Sequence, residues 1–182
     1  MRTERYDTLA IFFHWTVAVL IVGNVLIAWS LDNFDRHDPV RDTILTVHKS
    51  IGATVLLMAV LRLIWRWTHP APPMPEAMPR WKRIAAQTDQ ALLYAVMFVM
   101  SLTGLIDAGA FSQPVHFFFL FDLPPLVGHD EPLGHAAFAV HKATAVILYA
   151  LLLLHAGAAL HHHYVLKDGI LRRMLPLAPT RK

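Results

Sequence analysis

Apolar residues run along this chain in four long blocks, at residues 9–30, 43–67, 85–106 and 136–160, without the alternation of a strand or the one-sided stripe of a surface helix. A bilayer core of about 30 Å is crossed by roughly 20 helical residues, so each block predicts one membrane span. The expected fold class is an all-α integral membrane protein: a four-helix transmembrane bundle, one domain over residues 1–182, without an internal repeat. The first block is too long for a signal sequence and no small-residue cleavage site follows it, so it is expected to remain as a span. Between the second and third blocks, Pro70, Pro72, Pro73, Pro75 and Pro79 rule out a continuing helix and predict a short, stiff connection. Between the third and fourth, the run PVHFFFLFDLPPL predicts a short segment lying at the membrane surface.

The polar residues orient this bundle. Arg2, Arg5, Arg62, Arg66, Arg80, Lys82, Arg83, Lys167, Arg172, Arg173, Arg181 and Lys182 fall at the end shared by the two tails and the second connection. The other two connections hold only Arg36 and Arg41 among the basic residues, and carry Asp32, Asp35, Asp38, Asp42, Asp107, Asp122, Asp130 and Glu131. Positive residues favour the cytoplasmic side, so both termini are expected there, with lipid as the solvent. With 55% hydrophobic and 16% charged residues and a formal charge of +3, the composition excludes an ordinary soluble domain and gives no nucleic-acid patch. The absence of Cys excludes disulfides, iron–sulfur clusters and thioether-linked haem.

Twelve histidines are many for such a chain, and four of them lie inside the blocks. His14 and His155 each stand five positions from the cytoplasmic end of a block, about 8 Å deep. His48 and His141 stand equally deep from the other side. His141 and His155 are 14 residues apart, about 21 Å along the helix and close to four full turns, so both imidazoles leave one face. Two facing pairs along one interior predict two bis-histidine sites for non-covalent haem b, with His14, His48, His141 and His155 as iron ligands. Gly52, one turn after His48, offers a flat contact for a porphyrin. A zinc or copper site is the chemical rival, but only Asp89 adds a carboxylate within the blocks. A single histidine in a span would otherwise be an interhelical hydrogen-bonder.

Haem propionates need cations or water. Lys49 and Lys142 each follow an outer histidine; Arg62, 14 residues after His48, serves the inner level, with Arg66 a turn beyond. Snorkelling to headgroups is the alternative for all four. Trp15, Trp29, Trp65, Trp67 and Trp81 fit an aromatic belt. His161, His162 and His163 read as interfacial and solvated.

FFHW in the first block, VHKSIGATVLLMAVLRLIWR in the second, the histidine pair in the last and the tail HHHYVLKDGILRRMLP together resemble the bacterial di-haem cytochrome b561 family over nearly the whole chain. The resemblance implies His14 with His155 on a cytoplasmic haem and His48 with His141 on a periplasmic one. It also implies electron transfer linked to ubiquinone, with superoxide as the electron donor in some members. Where relatives often carry histidines, the third block begins AAQTDQALLY, with Gln87 and Gln90. A quinone is expected near the outer haem, beside residues 117–121 and His116. Against superoxide, the eight outward acidic residues outweigh Arg36, Arg41, Lys49 and Lys142 and leave a net charge of about −4. Two alternatives stand beside this expectation: a haem-bearing anchor subunit passing electrons for a soluble dehydrogenase or periplasmic redox partner, and a metal transporter without haem.

Overall fold

A computed structural model describes residues 5–35, 37–75 and 78–176; Arg2, Arg36, Arg181 and Lys182 of the charge census lie outside them. Four helices carry the fold: α1 (Thr8–Ser30), α2 (Pro39–Thr68), α3 (Arg80–Ala110) and α4 (Glu131–His161). All four are long and apolar enough to cross a membrane. Each runs past its apolar block, and at three of the N-termini a side-chain cap, rather than hydropathy, sets the end. Asp7, Asp38 and Asp130 are N-caps whose carboxylates accept from Ala10 N, Val40 N and Leu133 N, and proline in the first turn opens both α2 and α4. Asp107, which hydropathy alone leaves in a connection, stands on the last turns of α3.

Neighbouring helices pack in chain order, α1 on α2, α2 on α3 and α3 on α4, while α4 stands further off from α1 and α2. The core is one apolar layer drawn from all four: Val17 and Ile21, Val55 and Ala59, Val96 and Met97, Leu148 and Leu151. Outward positions such as Val19, Leu57 and Leu153 remain exposed, as lipid-facing helices require.

The connection between α3 and α4 is not a simple surface segment. It folds into an antiparallel hairpin of β1 (Val115–Phe117) and β2 (Phe121–Leu123), with His116 opposite Asp122. Ser50 on α2, fully buried, ties it down: its Oγ accepts from Phe118 N at 2.9 Å and donates towards Thr46 O at 2.7 Å and His116 O at 3.2 Å. Phe118 and Phe119 take φ of 47° and 62°, a left-handed conformation costly for bulky side chains. Beyond α4 the chain makes a π-helical turn (His162–Leu166) and a 3-10 turn (Leu171–Met174). This tail returns to α1, where the Trp15 indole donates to Met174 O at 2.7 Å.

Candidate functional site

Because α4 bears His141 and His155 on one face, α1 and α2 need to supply only one histidine each. The structure brings His14 to His155, with ring centroids 6.1 Å apart and planes at 52°. His48 meets His141 at 6.3 Å and 77°. Both pairs span the wider separations, α1 to α4 and α2 to α4, and the core layer lies between them. An imidazole nitrogen binds a transition metal at about 2 Å, so two rings on opposite sides of one iron have centroids roughly 6 Å apart. Both pairs therefore have the spacing that a haem iron requires.

The hydrogen bonds at the other ring nitrogen decide which lone pair is free. His141 donates from Nδ1 to Met100 O at 2.9 Å, with Thr103 Oγ1 at 3.4 Å, which leaves Nε2 for a metal. His155 does the same towards Asp89 Oδ2 at 2.8 Å. Nδ1 of His48 is buried without a hydrogen-bond partner among the described residues. His14 differs: an Arg62 N–H donates to its Nδ1 at 3.0 Å. Arginine can only donate, so the proton of a neutral His14 then sits on Nε2. Coordination through Nε2 requires Arg62 to turn away from Nδ1.

Arg62 thus lies at the level where its spacing from His48 put it, but it contacts a histidine, and its guanidinium also lies 5.4 Å from the centre of the Tyr94 ring. Arg66 donates to Gln90 Oε1 at 3.1 Å, which gives that glutamine a defined partner. Arg62, Arg66, Trp65, His69, Tyr6, Tyr94 and neighbours line a small, partly open cleft. At the other end, Lys49 donates to Gln113 Oε1 at 2.9 Å, and Lys142 lies 5.7 Å from the Phe138 ring centre, one turn earlier on its own helix. Gly52 has only the Asn24 amide nearby, 3.9 Å from where a Cβ would stand.

Two residues that sequence reasoning did not assign to the site touch its histidines. Gly104 packs α3 against His141, where an added Cβ would lie 3.3 Å from Cε1 and 3.5 Å from Nδ1. Asp89, weighed only against a zinc site, contacts His155. Its depth in the third block matches that of His155, and a comparison of levels across helices would have found it. The histidine run after α4 is not uniformly solvated. His162 pairs through Nδ1 with Asp168 Oδ2, and its side chain is 16% exposed. The tryptophans also divide. Trp67 and Trp81 are well exposed, whereas Trp65 donates to Asp7 Oδ1 at 3.0 Å and stacks on His69.

Comparison with known proteins identifies the family. The family model for prokaryotic cytochrome b561 matches residues 5–177. Cytochrome b561 homolog 2 of Escherichia coli K12 is 30% identical over 173 residues, covering 94% of this chain and 92% of the relative. Homolog 1 of the same organism is 30% identical over 177 residues, covering 95% and 98%. A protein of Yersinia pestis named "Probable superoxide oxidase CybB" is 28% identical over 176 residues, covering 95% and 97%. The chain belongs to the prokaryotic cytochrome b561 family, bacterial membrane proteins of four spanning helices that carry b-type haem and transfer electrons across the membrane.

Proposed function

We propose that this protein holds two b-type haems, one between His14 and His155 and one between His48 and His141, and exchanges their electrons with ubiquinone. The observation that carries the reading is the pair of imidazole contacts, 6.1 and 6.3 Å between centroids, at opposite ends of one helix. Each haem supplies a one-electron couple; the helices set its depth, and the apolar layer keeps water from the interval between the two levels. Lys49 and Lys142 stand beside the ligands of one pair and Arg62 beside the other, where each can meet a propionate. The charge census supports both termini being cytoplasmic, which puts the His48–His141 pair on the periplasmic side.

The quinone is placed beside the 115–123 hairpin, on which Phe119, Leu120 and Phe121 are exposed. Supporting this position, Ser50, two residues after His48, anchors the hairpin at the level of that haem. Superoxide as electron donor is supported by the name of the Yersinia relative. It is opposed by the acidic periplasmic segments, since a small anion is collected fastest by a positive field.

Haem content per chain with each of His14, His48, His141 and His155 replaced by Ala tests the ligand sets. Loss of one haem in each variant is expected, and full occupancy in all four sinks the assignment. Quinol-driven haem reduction in proteoliposomes tests the substrate, and Lys142→Ala with unchanged quinone turnover counts against a site bordered by that lysine. Stopped-flow mixing with superoxide that leaves the haems oxidised removes superoxide as donor. Haem without quinone turnover would assign the chain instead to an anchor role for a redox partner.

A further inference from the structure

The two histidines of α4 are the same residue on the same helix face, yet their Nδ1 protons go to different acceptors. His141 donates to a neutral backbone carbonyl, Met100 O, at 2.9 Å. His155 donates to a carboxylate, Asp89 Oδ2, at 2.8 Å. The Asp89 side chain is 11% exposed, and its second oxygen, Oδ1, is buried with no hydrogen-bond partner among the described residues. A carboxylate kept in a spanning helix with half its accepting capacity unused is a poor device for stability, because burying an unmatched polar atom costs free energy. Its one well-made bond is the one to His155.

A carboxylate that accepts from the far nitrogen of a metal-bound imidazole raises the basicity of the coordinating nitrogen and fixes the ring. Stronger donation and a nearby negative charge both favour ferric over ferrous iron. We propose that Asp89 is a positioning residue for His155, holding the ring with Nε2 free for iron and lowering the reduction potential of the haem at that level. The two haems are then made inequivalent by the hydrogen bond behind one ligand, although all four ligands are histidine. Arg62, 3.0 Å from Nδ1 of His14, is the opposing charge on the other side of the same site, so the Asp89 contribution is read by changing Asp89 alone. The proposal rests on His14 and His155 forming one haem site.

The test is a spectroelectrochemical titration of the purified holoprotein, with low-spin EPR of the oxidised haems. His14→Ala and His48→Ala identify the redox wave belonging to each level. Asp89→Asn, which keeps the shape and removes the charge, is expected to move the His14–His155 wave to higher potential, shift the g-values of that haem and leave the other wave in place. Asp89→Glu is expected to return both signals towards wild type. Selective loss of that haem in Asp89→Asn, regained in Asp89→Glu, also supports positioning, since such partners typically contribute about 10–100-fold in metal affinity. Two bound haems with both waves and all g-values unmoved would overturn the proposal, as would equal shifts of both waves. If His14→Ala and His155→Ala retain full haem content, the ligand assignment itself fails, whatever Asp89→Asn does.

Discussion

A side chain at position 104 would have to share space with His141. A Cβ there stands 3.3 Å from the ring Cε1 and 3.5 Å from Nδ1, at or inside the usual contact distance of about 3.5–4.0 Å. The ring has little room to retreat while its Nδ1 is held 2.9 Å from Met100 O, on the same stretch of α3. Two effects oppose one another in Gly104→Ala: the helix gains about 1 kcal/mol by losing glycine, and a shift of the ring by a few tenths of an ångström takes some of that back. Stability should change by less than about 1 kcal/mol, with both haems retained. Gly104→Val adds two methyls to the same Cβ, and overpacking of this kind costs about 1–3 kcal/mol. Here that cost falls on the orientation of a ligand. The expected outcome is selective loss of the His48–His141 haem, or a shifted redox wave for it, with the other haem unchanged. Haem per chain, a redox titration and thermal unfolding in detergent measure the three quantities. A Gly104→Val protein with two haems, an unmoved outer wave and wild-type stability would refute the claim that glycine is needed here to make room for His141.

Ser50→Ala removes the hydroxyl that accepts from Phe118 N, and leaving that amide unpaired costs about 1–3 kcal/mol. Faster hydrogen exchange across residues 115–123 with unchanged haem content is expected, and wild-type protection would show that the hairpin holds itself. Asp7→Ala deprives both Ala10 N and the Trp65 indole of their acceptor, for a loss of about 1–2 kcal/mol in thermal unfolding, while Asp7→Asn keeps most of it. Arg62→Gln removes the cation beside His14 and should move the wave of that level to lower potential, opposite to Asp89→Asn. Since the chain has no Cys, Asp35→Cys and Pro70→Cys report topology: an impermeant maleimide applied outside the inner membrane should label only the first, and labelling of Pro70→Cys alone would invert the orientation.

The spans and the pairing of the four histidines could be read from the chain because both depend on counting along straight helices. Fourteen residues return His155 to the face of His141, whatever the neighbouring helices do. What lay beyond counting was the chemistry between helices. Asp89 shares the level of His155, but only the rotation of α3 against α4 turns its carboxylate to the ring, and no spacing within α3 announces the contact of Gly104 with His141. Arg62 was placed at the correct depth, but depth does not say whether a guanidinium turns to a histidine or to a carboxylate. The hairpin escaped for another reason: its pairing is short, its turn places two phenylalanines at positive φ, and its anchor, Ser50, comes from a distant helix. Hydropathy overstated nothing there, but it could only mark the segment as apolar.

The layer between the two histidine pairs limits what can cross the bundle. Its buried members are Val, Ile, Ala, Leu and Met side chains from all four helices, none of which carries a titratable group, with Tyr94 packed against the layer. Moving a bare proton through such a region would require a charge in a medium of low dielectric, at a cost of many kcal/mol. Electrons need no such solvation chain. On the proposed quinone reading, proton uptake or release is therefore expected on the side where the quinone binds, and the electron passage itself carries net charge across the membrane. With the quinone beside the hairpin, proteoliposomes should develop a membrane potential during turnover, collapsed by a potassium ionophore but not by a neutral proton–cation exchanger. Turnover that generated no potential would place both half-reactions on one side of this layer.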